Sequence, residues 1–175
     1  GVQTCALPIL LEGWGMTEGA PFCLNLYDGE RKLLSVGRPV PGTELQIVDL
    51  EKGDTVLPQG ERGEVRVRGP QLMTGYRKRP EETAQALRDG WMHTGDIGYV
   101  DADGYLYLVD RKKDMVIVGG FNVYPREVDE VLFKHPKIRE AATVGKADSR
   151  LGEVLVAFVV LHAGQSMSES EFFDY

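Results

Sequence analysis

Glycine and proline recur densely between residues 13 and 125, and a chain punctuated so often reads there as short strands joined by tight turns. In the segment GEVRVRG, residues 63–69, Val65 and Val67 alternate with Glu64, Arg66 and Arg68, the pattern of a strand with one wet face. Similar strands fit Glu44–Val48, Gly98–Val100 and Tyr105–Val109. One short helix interrupts them: in RPEETAQAL, Pro80 suits a first helical position, and Glu81 and Glu82 follow where the helix dipole favours acids.

After Asp110 the pattern changes. MVIVGG is an apolar run ending in a glycine pair, and YPREVDEVLFKHP places Val128, Val131 and Leu132 at helical spacing, with Pro125 at the entry and Pro136 at the exit. The unalternating run VLVAFVVL, residues 154–161, reads as a strand buried on both faces. SESEFFDY then opens like a helix capped by Ser168 or Ser170. A boundary falls at residues 110–113, where the charged Asp110-Arg111-Lys112-Lys113 is equally a solvated turn between strands.

With 175 residues, 42% of them hydrophobic, the chain can bury a core of one or two globular domains. Its 20 Lys and Arg against 27 Asp and Glu leave a net charge of −7, which argues against docking on nucleic acid or an anionic membrane and leaves small molecules or proteins as partners. Cys5 and Cys23 lack the spacing of a zinc site or a disulfide framework, and reduced, buried thiols are expected. No apolar run approaches the roughly twenty residues that cross a bilayer. Elimination therefore points to a cytoplasmic chain, at most peripheral at a membrane.

Three segments could carry chemistry, and each has a plain structural alternative. GWGMTEG, residues 13–19, offers Trp14 for stacking, the Thr17 hydroxyl and the Glu18 carboxylate beside Gly13 and Gly15, whose missing side chains let a ligand approach; it is also a glycine-rich turn with a core tryptophan. GWMHTGD, residues 90–96, puts His93, Thr94 and Asp96 on a loop before a strand. There Asp96 could accept hydrogen bonds from both hydroxyls of a ribose or simply form a turn. VGGFNVYP, residues 118–125, is a turn at Gly119-Gly120 on the way into a helix.

Order changes their weight. GWGMTE, GEVRVRGPQLMTGY, GWMHTGDIGYVDADGYLYLVDR, KDMVIVGGFNVYPREVDEVL and EAATVGKAD with GEVLVAFVV follow one another from about Leu10 to the end of the chain. This succession resembles the adenylate-forming superfamily of acyl-CoA synthetases, aryl-CoA ligases, peptide-synthetase adenylation domains and luciferases. The resemblance implies a mixed α/β fold: residues 10–112 as the distorted β-barrel-like end of a large AMP-binding domain, and 113–175 as a truncated α+β C-terminal domain. It implies ATP, Mg²⁺ and coenzyme A as substrates and metal, with acyl-AMP as the intermediate.

Residue by residue, the resemblance places Trp14 on adenine, Thr17 near the phosphates, Glu18 on Mg²⁺ and Asp96 on the ribose. Gly13, Gly15, Met16 and Leu108 line the nucleotide, and Arg111 reaches ribose and phosphate. Lys113 lies at the hinge between domains, and Gly119, Gly120 and Phe121 lie beside the pantetheine chain of coenzyme A. Thr17, Glu18 and Arg111 are the expected catalytic residues.

In the family a Ser/Thr/Gly-rich phosphate loop should lie upstream of Leu10, and a lysine that contacts the reacting carboxylate and phosphate downstream of Tyr175; neither is in this chain. The chain alone is therefore expected not to form acyl adenylate, and its first segment to expose apolar surface and self-associate. Residues 1–9, GVQTCALPI, do not match the family and resemble translated adapter sequence, so they are read as non-native. VDRKKDMVIVGG with GGFNVYPREVDEVLFKHP looks most like medium- and long-chain fatty acyl-CoA synthetases. An aryl-CoA ligase or a fatty acyl-AMP ligase of the same fold, or a non-catalytic nucleotide-binding module, are the alternatives.

Overall fold

The computed structural model describes residues 11–27 and 30–175; residues 1–9, including Cys5, lie outside it. Twelve strands and three short helices follow one another along the described residues, a mixed α/β architecture with few helices. The chain divides between Leu108 and Val109 into two compact units, a few residues before the 110–113 boundary read from the sequence.

In the first unit, β1 (Gly13–Met16), β2 (Gly19–Leu24) and β3 (Arg38–Pro39) form one antiparallel sheet. A second sheet has the order β4 (Glu44–Val48), β5 (Gly63–Arg68), β7 (Trp91–Val100), β6 (Leu87–Arg88), with β8 (Leu106–Arg111) also pairing β7. The expected barrel-like closure is absent among the described residues. β4 pairs β5 and no second strand, so the hydrogen-bonded order ends at an open edge instead of returning on itself. Helix α1 (Pro80–Ala86) stands between β5 and β6, with Pro80 in its first turn as its sequence suggests.

The core of this unit joins the two sheets. Phe22 and Cys23 from β2 pack with Ile47, Val65, Val67, Met92 and Leu106. Each such side chain taken fully out of water contributes roughly 1.5–3 kcal/mol. Burial pushes the Cys23 thiol up to about 12, because the thiolate would have to form away from water. Iodoacetamide at pH 8 is therefore expected to leave Cys23 unmodified in the native protein and to alkylate it once denaturant is added. Rapid native labelling followed by mass spectrometry would contradict that.

The alternation in β5 is not a wet face throughout. Glu64 is buried at 4% exposure, a correction whose reason is polar: its Oε1 accepts the Gly95 N–H at 3.3 Å from β7. Residues 30–37 are fastened to the β7–β8 turn. Lys32 pairs with Asp101 at 2.7 Å and with Asp103, and the Val36 N–H donates to Leu106 O while the Leu106 N–H donates to Gly37 O. After β4, the Asp49 carboxylate accepts backbone N–H groups from Lys52, Thr55, Gly53 and Asp54. These bonds favour its ionised form and hold it well below the usual carboxylate range.

In the second unit β9 (Val116–Val118) and β10 (Phe121–Val123) make a hairpin whose two-residue loop is Gly119-Gly120, both with positive φ. The sheet order is β10-β9-β12-β11, with β11 (Ile138–Asp148) antiparallel to β12 (Gly152–Leu161) along nearly their full length. Helix α2 (Pro125–Leu132) packs on β11, burying Pro125 and Leu132 one heptad apart, while Val131 remains 48% exposed. Val131 lies about 100° around the helix from Leu132, so the buried face is narrower than its apolar spacing suggests.

β12 is not buried on both faces: Phe158 is 63% and Val160 43% exposed. It is sandwiched in the hydrogen-bonding direction, but no layer among the described residues covers that side of the sheet. Helix α3 (Glu169–Phe173) is capped by Ser168, whose Oγ accepts the Glu171 N–H at 3.1 Å. No helix among the described residues is long and apolar enough to cross a membrane.

Candidate active site

The candidate residues of the first unit come together at β1 and the middle of β7. Gly13, Trp14, Gly15, Met16 and Thr17 line one side of an open pocket of about 540 Å³. The glycines also serve the strand pair. A Cβ on Gly13 would lie 2.5 Å from the Leu24 side chain, and one on Gly15 would lie 2.9 Å from Ala20 Cβ.

Trp14 is held from two directions. Its ring rests against Phe22 at 5.2 Å between centroids, and its Nε1–H donates to Asp96 Oδ2 at 3.0 Å. Residues 82 positions apart thus share one hydrogen bond, although neither motif refers to the other.

Asp96 is not on a loop before a strand; it lies within β7, which begins at Trp91. A bulge replaces the expected loop. Arg66 pairs with His93 and Glu64 with Ile97, so Val65 alone faces Thr94, Gly95 and Asp96. Gly95 takes φ +71°, a left-handed conformation open to glycine without strain. Thr94 Oγ1 donates to Val65 O at 2.7 Å and accepts the Asp96 N–H at 3.1 Å. The bulge is therefore bonded on both sides, and Asp96 is fixed at its end with 8% exposure.

Glu64, which has no functional reading in the sequence, and His93, which the sequence places in the segment GWMHTGD, lie at this support. Glu64 bonds the bulge at Gly95, and His93 lies beside it with Nδ1 3.7 Å from Glu64 Oε2, an approach longer than a hydrogen bond. Burial first, then the charges of Arg88 and Arg66, hold the His93 imidazole below its ordinary range, which favours its neutral form. Glutamate in an alternating strand carries no sign of this task, because the bulge that requires it forms on another strand.

Glu18 sits between β1 and β2. Its backbone O accepts the Met73 N–H at 2.7 Å, and its Oε1 accepts the Tyr76 hydroxyl at 2.7 Å. Among the described residues no group of three His, Cys, Asp or Glu could hold a metal ion. A single carboxylate such as Glu18 is compatible with a hard cation held mainly by phosphate oxygens and water. Leu108, expected at the nucleotide, packs half-buried against the core of the first unit.

The remaining candidates belong to the second unit. Arg111 is exposed at the end of β8, its backbone N–H bonded to Asp110 Oδ1 at 2.7 Å. Lys113 is exposed in the turn before β9, and Gly119, Gly120 and Phe121 form the exposed tip of the β9–β10 hairpin.

Comparison with known proteins agrees in both units. Residues 2–77 match the model of the AMP-binding enzyme family, a match that begins inside the segment 1–9 expected not to resemble it, and residues 127–174 match that of the AMP-binding enzyme C-terminal domain. The chain belongs to the AMP-binding, adenylate-forming enzyme family.

Within it, the chain is 47% identical over 163 residues to a long-chain-fatty-acid–CoA ligase of Bacillus subtilis, an alignment covering 93% of this chain and 29% of that protein. It resembles the structure of ATP-bound MatB from Rhodopseudomonas palustris with a TM-score of 0.87 and 39% identity, over 93% of this chain and 32% of that one. It likewise resembles O-succinylbenzoate coenzyme A synthetase of Bacillus subtilis in complex with AMP, with a TM-score of 0.80 and 36% identity over 94% and 33% of the two chains. The chain thus spans about a third or less of the length of these relatives.

Proposed function

We propose that the full-length protein carrying this chain activates a fatty acid with ATP and transfers the acyl group to coenzyme A. The observation that carries the reading is the Trp14–Asp96 hydrogen bond, which puts an aromatic plane and a carboxylate side by side on a built support. In the first step a carboxylate oxygen attacks the α-phosphorus of ATP, the new P–O bond forms, and pyrophosphate leaves. In the second the sulfur of coenzyme A attacks the acyl carbon, its proton is lost, and AMP departs with the electrons of the C–O bond.

Each residue has a physical task in this reading. Trp14 flanks the adenine. Asp96 takes the ribose hydroxyls, for which a carboxylate oxygen is an acceptor. Gly13, Gly15, Met16 and Leu108 line the nucleotide, and Thr17 donates to the phosphates. Glu18 would hold Mg²⁺, which when bound offsets phosphate charge. Arg111 supplies fixed positive charge to ribose and phosphate. Lys113, exposed and able to stay hydrated in two states, is the hinge residue. Gly119, Gly120 and Phe121 border the pantetheine chain, where the lack of Cβ leaves width for a narrow substrate.

The fatty-acid assignment draws on the 47% identity to a long-chain-fatty-acid–CoA ligase. The likeness to the O-succinylbenzoate enzyme supports an aryl acid as the second reading. ATP–pyrophosphate exchange by the full-length protein, with long-chain, medium-chain and aryl acids in turn, tests both. Exchange and thioester formation greatest with a fatty acid and coenzyme A is the expected result. Preference for the aryl acid sinks the substrate assignment, transfer to a carrier protein instead of coenzyme A points to an acyl-AMP ligase, and ATP binding without exchange with any acid leaves a nucleotide-binding module.

A further inference from the structure

Glu18 is gripped by a segment to which nothing so far assigns a task. Residues 69–79 run from β5 to α1, and two of their groups reach back to this one residue: Met73 N–H to its carbonyl and Tyr76 Oη–H to its carboxylate, each at 2.7 Å. Tyr76 is itself anchored. Its N–H donates to Thr83 Oγ1 at 2.9 Å, and that hydroxyl donates to Arg79 O at 2.7 Å inside the first turn of α1. Gly75, at φ +147°, lies against the same threonine, where an added Cβ would come within 2.8 Å of Thr83 Cγ2.

A chain of hydrogen bonds therefore runs from α1 through Thr83 and Tyr76 to one oxygen of Glu18. A glutamate on a turn would otherwise sample several rotamers, and ordering it at the moment of metal binding would weaken that binding. The hydroxyl occupies Oε1, so that Oε2 is the oxygen a hard cation would take.

We propose that Tyr76 is a positioning residue: it fixes the Glu18 carboxylate in the orientation that receives the metal–triphosphate complex, with Thr83 of α1 holding Tyr76 in turn. The inference rests on Glu18 being the metal carboxylate. Its test is binding of Mn²⁺ to the full-length protein with a non-hydrolysable ATP analogue, read by loss of the free-ion electron paramagnetic resonance signal.

Tyr76→Phe is expected to raise the Mn²⁺ Kd about tenfold, the loss of one hydrogen bond to a charged group, while metal-free nucleotide binding and Tm stay at wild-type values. Thr83→Val should act in the same direction with smaller size. Because Tyr76 acts through Glu18, the double variant Tyr76→Phe/Glu18→Gln should bind Mn²⁺ no more weakly than Glu18→Gln alone. Wild-type Mn²⁺ affinity in Tyr76→Phe, or additive losses in the double variant, overturns the positioning role while leaving Glu18 as ligand. Wild-type affinity in Glu18→Gln removes the metal role of Glu18 and this proposal with it.

Discussion

Replacing Asp96 by alanine is expected to lower kcat/KM for ATP in the full-length protein by roughly a hundred- to a thousandfold, in a steady-state assay with saturating acid. The size follows from removing an anionic acceptor for two ribose hydroxyls, about 3–4 kcal/mol at 1.4 kcal/mol per factor of ten. The same change strips the acceptor from Trp14 Nε1, so the indole loses the bond that sets its plane. Trp14→Phe separates the two effects by keeping an aromatic face and deleting only the donor; a loss of about tenfold or less is expected there. If Asp96→Ala retains the wild-type kcat/KM for ATP, the carboxylate does not bind ribose and the nucleotide reading of this site fails.

The second large effect is structural and lies directly beneath the first. Phe22 is fully buried, the largest such side chain among the described residues, and it carries the ring of Trp14 on one side and the joint core of the two sheets on the other. Phe22→Ala leaves a cavity that Val65, Val67 and Leu106 cannot fill, because each is held in its own strand. A loss of roughly 3–5 kcal/mol is expected. Chemical denaturation should show it as an earlier transition of the first unit, and Phe22→Leu, which keeps most of the volume, should recover more than half of it. An unchanged midpoint for Phe22→Ala would show that the two sheets do not share this core.

Several elements were legible from local pattern because their physics is local. Pro80 followed by two acids marked α1, and Pro125 with apolar spacing marked α2. A cap at Ser168 or Ser170 marked α3, with Ser168 the one the structure uses, and the glycine pair at 119–120 marked the hairpin turn. The order of GWGMTEG, GWMHTGD and the motifs after them along the chain pointed to the family that the comparisons then showed.

What stayed hidden depended on residues far apart in sequence. The bulge that seats Asp96 exists only because Val65 on another strand faces three residues of β7. Alternation in β5 therefore marks Glu64 as exposed although it is buried to bond Gly95. An apolar run such as VLVAFVVL reports what its side chains prefer, not whether a second layer covers both faces, and Phe158 remains largely exposed.

The amino-acid sequence by itself determined the family, most of the elements and the types of residue available for chemistry, since propensity, capping and motif order are properties of neighbours along the chain. Only the tertiary structure decided that Trp14 bonds Asp96, that Tyr76 grips Glu18 and that the sheets stay open. Each of these is a pairing between segments, and the free energy of such a pairing depends on a partner that no local pattern names.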